Sequence, residues 1–261
     1  MTDTLASIID LGACPLGDGN YVSCCAADLK RDGVITLPGF LQADVIDALV
    51  AEAETHKDKA YFTALTHNVY LTLPDRDLGN DHIFNRQVSS SKGCITTDQV
   101  PAGSPLHALY QSESFKAFIA TIVGEEALYE CGDPLSGINV HYAAAGQELG
   151  WHFDNSKFAI TILLQKPLAG GAFQYVRDLR DADVGEMNFG GVEAVLDGDQ
   201  AVSELVIEPG TLVLFRGRNS LHRVTPTEGD VTRILVVLAY NANAGVALSE
   251  SARMTFFGRL G

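Results

Sequence analysis

The sequence predicts an α+β protein that is mainly β, an antiparallel sandwich or barrel buttressed by helices at its N-terminal end. Three observations carry this expectation. Helical periodicity is confined to the first half of the chain, at Ala43 to His56 and from about Ser104 to Val123. After Tyr129 the pattern changes to short runs of β-favouring residues. Turn signals at Gly170-Gly171, Pro209-Gly210 and Gly229-Asp230 separate those runs. No repeat and no convincing linker divides the 261 residues, so the expectation is one domain over 1–261, with a helical and loop part at 1–128 and a β core at 129–261.

Taken in order, residues 1–32 read as a poorly patterned lead-in, and Val34 to Leu37, closed by Pro38-Gly39, as a short strand. Val45, Ile46, Leu49, Val50 and Ala53 then recur at helical spacing, with Asp47, Glu52 and Glu54 on the opposite face. From Lys57 to Pro101 periodicity fades, and the Asp-, Asn-, Ser- and Gly-rich stretch within it reads as a long loop, which in a compact protein is often functional. The next helix carries Leu106, Leu109, Tyr110, Phe115, Phe118, Ile119 and Ile122, with Gly124 as its stop. The predicted strands follow at Ile138 to Tyr142, Phe158 to Leu164, Ala172 to Val176, Leu205 to Ile207, Leu212 to Phe215 and Ile234 to Tyr240.

Composition excludes several classes of function. Hydrophobic residues make up 46% of the chain and charged residues 20%, which rules out disorder as the main state. A formal net charge of −15 argues against nucleic acid or an anionic membrane as a partner. The N-terminus carries acids where a signal peptide needs bases, and no apolar run is long enough to span a bilayer. Five cysteines, with Cys24 and Cys25 adjacent, fit neither a zinc site nor a disulfide framework, so a reducing cytoplasm is expected. The oligomeric state is left open.

The chemistry concentrates in Trp151-His152-Phe153-Asp154 and in a later histidine, His222, within Ser220 to Val224. On an extended segment His152 and Asp154 project to the same side, and a histidine from a neighbouring strand completes a three-ligand face. Two imidazoles and one carboxylate leave three positions of an octahedral ion open, which suits non-haem Fe(II) binding both a cosubstrate and O2. Taken alone, His-x-Asp is more often a structural tripeptide than a ligand pair. Arg233, at the head of the next strand, gives it context: the distal carboxylate of 2-oxoglutarate needs a charged, bidentate partner in a confined pocket. Thr161 and Thr225 could add a hydroxyl donor.

The segments Leu149 to Ser156, Ile160 to Gln165, Gly170 to Val176, Pro209 to Val224, Arg233 to Tyr240 and Leu248 to Arg259 together resemble iron(II)/2-oxoglutarate-dependent oxygenases. The likeness is greatest to the branch of free-amino-acid, lysine-type radical halogenases and their hydroxylase relatives. That resemblance implies a double-stranded β-helix, the cupin-like jelly roll. It implies Fe(II) as metal, with 2-oxoglutarate and O2 as cosubstrates, and His152, Asp154 and His222 as metal ligands and catalytic residues. Arg233 would bind 2-oxoglutarate. The halogenases resembled have glycine where this chain has Asp154, and the vacancy there admits chloride, so the carboxylate implies a hydroxylase.

The expected substrate is a small polar molecule, a free amino acid such as lysine or a derivative. Asn155, directly after the ligand segment, and Arg86, in the polar loop, are the candidate substrate contacts, although a turn role for Asn155 and a solvated charge for Arg86 weigh against them. Trp151 is expected to pack in the core and His141 to serve structure or support the ligands. Two rival readings remain at this stage: a halogenase of the same family and a non-catalytic jelly roll that binds a ligand.

Overall fold

The computed structural model describes residues 5–261, and the first four residues of the lead-in fall outside them. The rest of the lead-in is not patternless: Gly19–Asp32 forms helix α1. Asp18 caps it by accepting from the Asn20 and Tyr21 amides, and Gly33 ends it in the left-handed conformation. Its buried positions are Cys25 and Leu29, an inner face too poor in large aliphatics to register as periodicity. Strand β1 (Val34–Leu37) and helix α2 (Ala43–His56) lie where expected. The single helix expected over 104–123 is two, α3 (Pro105–Tyr110) and α4 (Glu113–Val123), broken where Ser112 turns its hydroxyl to cap the Phe115 amide.

The span from Lys57 to Pro101 holds a hairpin, of β2 (Tyr61–Asn68) and β3 (Gln87–Ile95), paired from Tyr61 against Cys94 to Asn68 against Gln87; of the loop expected over residues 74–93, residues 74–86 are loop and one 3-10 turn and residues 87–93 belong to β3. The remaining strands of the main sheet are β4 (Ile138–Ala143), β5 (Leu149–His152), β6 (Ala159–Gln165), β7 (Phe173–Val176), β8 (Ser203–Leu205), β9 (Leu212–Phe215), β10 (Leu221–Val224) and β11 (Arg233–Leu238). Helix α5 (Phe189–Asp197) is inserted between β7 and β8, and α6 (Glu250–Phe257) closes the chain.

These eleven strands join one curled antiparallel sheet in the order β1-β9-β6-β11-β4-β3-β5-β10-β7-β8, with β2 paired to β3, and four two-residue strands form two small separate ladders, Thr227–Glu228 with Ala169–Gly170 and Tyr240–Asn241 with Tyr129–Glu130. The curl makes a half-barrel, the jelly roll the sequence implies, with two faces that the strand period of two fills differently. On β11, Ile234, Val236 and Leu238 pack with Ile138, Val140, Tyr142, Ile160, Ile162 and the buried faces of α1 to α4 in the main core. The alternate positions turn into the concavity, where Val213 and Phe215 meet Phe173, Tyr175, Leu205 and Ile207. A second cluster, with Trp151, Phe153 and Leu221, backs the smaller half of the sheet under α5. Among the described residues no helix is long and apolar enough to cross a membrane.

Candidate metal centre

His152 ends β5 and His222 lies on β10, and the two are direct cross-strand partners. Both side chains turn into the concavity, with ring centroids 4.1 Å apart. The Phe215 and Phe173 rings, 4.8 and 5.6 Å from that of His222, wall it on one side. Asp154 follows just past the end of β5, its amide held by the Gly217 carbonyl at 3.0 Å. Its Oδ1 lies 3.8 Å from His152 Nε2 and 3.6 Å from His222 Nε2. The three donors fall within 4.8 Å of one another, so the structure brings together the triad that the sequence singles out.

Each imidazole is aimed by its other nitrogen. His152 Nδ1 lies 2.8 Å from the Gly150 carbonyl and His222 Nδ1 3.0 Å from the Ser220 carbonyl. A carbonyl can only accept, so both Nδ1 atoms carry a proton, and both Nε2 atoms face Asp154. Burial, the neighbouring His222 and the His67 ring push the His152 pKa down to about 3, against the pull of Asp154 and Gly150, which keeps the ring neutral and able to ligate. Burial works to raise the Asp154 carboxyl, but the two imidazoles and Lys92 outweigh it and hold the group below its ordinary value.

Asp154 Oδ2 is buried and has no hydrogen-bond partner among the described residues. It rests against Gly217, whose missing side chain makes the space: a Cβ there would lie 2.6 Å from Asp154 Cγ and closer still to Oδ2. Two imidazoles and a carboxylate converging on one point, with a carboxylate oxygen lacking a donor among the described residues, are the chemistry of a facial site for a divalent first-row ion, and the set fits Fe(II).

Arg233 opens β11 on the concave parity, paired with Ala143. It is buried, and burial lowers its pKa to about 10, so it remains charged at neutral pH. It lines a cavity of about 170 Å³ with Leu163, Gly171, Phe173, Leu205 and Ile207. Asn155 is exposed beside the triad, its carbonyl accepting from Arg218 at 3.2 Å. Arg86 sits at the foot of β3, paired with Asp197 at the end of α5, with about two-fifths of its side chain exposed. Thr225 accepts the Ala172 amide at 3.0 Å, and Trp151 is buried under the Arg223 guanidinium, 4.8 Å from its ring.

Sequence reasoning missed a support layer on the hairpin. His67 Nδ1 donates to the Asn68 carbonyl, its Nε2 lies 2.7 Å from Ser90 Oγ, and that oxygen accepts the Gly150 amide at 2.9 Å. The His67 ring meets that of His152 edge-on at 6.4 Å. Gly150 has no room for a side chain, because a Cβ there would strike the Ser89 carbonyl of β3. Lys92, on the same hairpin, lies 3.3 Å from both ring nitrogens of His141. Reading Gln87 to Ile95 as a strand would have put Ser90 and Lys92 on one face.

Fold and donor face together define an oxidoreductase of the jelly-roll class built around a facial His-x-Asp…His triad. The chain belongs to the Halogenase D family, which it matches over residues 18–255. No curated protein sequence matches it. Among solved structures, a 2OG-Fe(II) oxygenase family oxidoreductase from Burkholderia pseudomallei is 14% identical with a TM-score of 0.53, over 88% of this chain and 94% of that one. The non-heme alpha ketoglutarate dependent epimerase SnoN from nogalamycin biosynthesis is 14% identical with a TM-score of 0.59, over 85% and 81%. A Pseudomonas putida prolyl-4-hydroxylase is 14% identical with a TM-score of 0.53, over 85% and 100%. At these identities the likeness is one of fold.

Proposed function

We propose that the protein is an Fe(II)/2-oxoglutarate-dependent dioxygenase that hydroxylates an unactivated C–H of a small polar substrate, a free amino acid such as lysine or a derivative. Bound Fe(II), with 2-oxoglutarate and O2, supplies an oxidant for C–H bonds: one oxygen atom goes into the substrate as hydroxyl, the other into succinate, and CO2 is released. The chain does the rest. His152 and His222 offer Nε2 lone pairs fixed by their carbonyl partners, Asp154 fills the third position of the face, and Arg233 pairs with the distal carboxylate of 2-oxoglutarate. Phe173 and Phe215 keep water from the inner side. Asn155 and Arg86, on the outer side, are the substrate contacts in this reading.

The observation that carries the hydroxylase reading is Asp154 itself. Its carboxylate is seated on Gly217 and directed between the two imidazoles, where the resembled halogenases leave a gap for chloride. Membership of the Halogenase D family favours halogenation as the second reading. One screen separates them: succinate release over the free amino acids and simple derivatives, with chloride present and products weighed by mass spectrometry. A product that has gained one oxygen atom supports hydroxylation, and one that has exchanged hydrogen for chlorine overturns it.

A further inference from the structure

The concave face carries a second cation, the half-buried Lys92, that the metal centre does not use. Lys92 lies on β3 one residue before Gly93, the cross-strand partner of Tyr142, so the next step of that register brings it opposite Ala143. Ala143 is in turn the partner of Arg233. The two cations therefore share a row across three strands, with only a methyl group between them, and strands about 4.8 Å apart set their Cα atoms about 10 Å apart. His141, the neighbouring concave position on β4, lies within the field of both.

Among the described residues neither Lys92 nor Arg233 makes an ion pair, and the one hydrogen-bond partner of Lys92 is the His141 ring. An ammonium can only donate, so His141 accepts from it as a neutral imidazole. The two cations and the burial of the ring all depress the His141 pKa, which keeps it in that form. A half-buried cation whose one hydrogen-bond partner is a neutral imidazole is poorly compensated, and a ligand carboxylate would compensate it. The row is also ordered. Strand β3, which carries Lys92, is the direct neighbour of β5, which carries His152, whereas β11, which carries Arg233, lies two strands further away. Lys92 is thus at the metal end and Arg233 at the far end.

We propose that Lys92 is the second carboxylate anchor of the cosubstrate pocket, pairing with the metal-proximal C1 carboxylate of 2-oxoglutarate while Arg233 holds the distal one. His141 orients the ammonium. This rests on the cofactor assignment above and is independent of which substrate is hydroxylated. The test is 2-oxoglutarate affinity, measured by calorimetry on the Mn(II)-loaded full chain. Lys92→Met should weaken it by about 10- to 100-fold, the worth of one charge-assisted hydrogen bond, with Mn(II) affinity unchanged, and Lys92→Arg should recover part of the loss.

A Lys92→Met protein that binds 2-oxoglutarate within twofold of wild type overturns the proposal and leaves the cofactor assignment standing. A wild-type protein that binds Mn(II) but no 2-oxoglutarate overturns both. If the variants misfold, a crystal structure of the wild-type Mn(II)–2-oxoglutarate complex decides. Lys92 Nζ within hydrogen-bond distance of a C1 carboxylate oxygen supports the pairing, and a separation beyond salt-bridge range refutes it.

Discussion

Gly217→Ala is expected to disable the metal centre without touching a ligand. The new Cβ would stand 2.6 Å from Asp154 Cγ, where ordinary contact begins at 3.4 Å, so the carboxylate must retreat by roughly 0.8 Å at Cγ and by more at Oδ2. Oxygen donors bind first-row dications at about 2.1 Å and tolerate only about 0.2 Å of error, so this shift breaks the bond. The Asp154 side chain is 21% exposed and can swing outward, so the metal-free fold should survive. Loss of one of three ligands should cost at least the upper end of what outer-shell changes cost, about 100-fold in Mn(II) affinity, or about 2.7 kcal/mol. Calorimetric titration with Mn(II) reads the effect, and a double-mutant cycle assigns it: in an Asp154→Ala background, Gly217→Ala should cost nothing further. Wild-type affinity in the single variant would refute the packing argument.

Three further outcomes are expected. Arg233→Ala should lower 2-oxoglutarate affinity by at least 10-fold in the same calorimetric assay while Mn(II) binding persists, because the arginine is remote from the donors yet buried with no counter-ion. His141 is held neutral in the fold but titrates near its ordinary value, about 6.5, once unfolded. Below that pH the unfolded chain takes up a proton that the native state refuses, so stability falls on acidification. Between pH 7.5 and 5.5 the metal-free protein should therefore lose stability through this group, and urea unfolding of His141→Gln should show a shallower decline over the same range. Arg86→Ala removes an ion pair whose partners are both about two-fifths exposed, so its melting should show a loss of no more than about 1 kcal/mol, while KM for the substrate found in the screen should rise.

The centre was far more legible in the sequence than the hairpin that supports it. His152 and Asp154 announce themselves because a strand places alternate residues together, Arg233 heads a strand whose apolar run is unmistakable, and His222, on a four-residue strand with no such run, is marked only by following the apolar strand Leu212–Phe215. Strand β2 shows no such run. Tyr61–Asn68 is exposed or half-exposed along nearly its whole length, so no alternation of apolar and polar residues marks it, and the serines of β3 read as loop. That misreading hid Lys92, Ser90 and His67. Helix α1 escaped for a related reason, since Cys25 and Leu29 are its only buried side chains, although Asp18 and Gly33 mark its two ends. Gly217 and Gly150 left no signal at all. Their importance lies in what stands opposite them, Asp154 and the Ser89 carbonyl, and such close approaches between distant segments belong to the folded chain alone.

The main-chain carbonyls of Gly150 and Ser220 fix the tautomers of both imidazoles before any ion arrives, and this bears on how the protein is populated in a cell. A pre-aimed nitrogen pair with a carboxylate imposes little discrimination by size, so occupancy follows the Irving–Williams series and local supply, with nickel, copper and zinc all outcompeting ferrous iron at equal concentration. Protein overproduced in a zinc-rich medium should therefore arrive mis-metallated, and stripping with a chelator followed by anaerobic reloading becomes the step on which measured turnover depends.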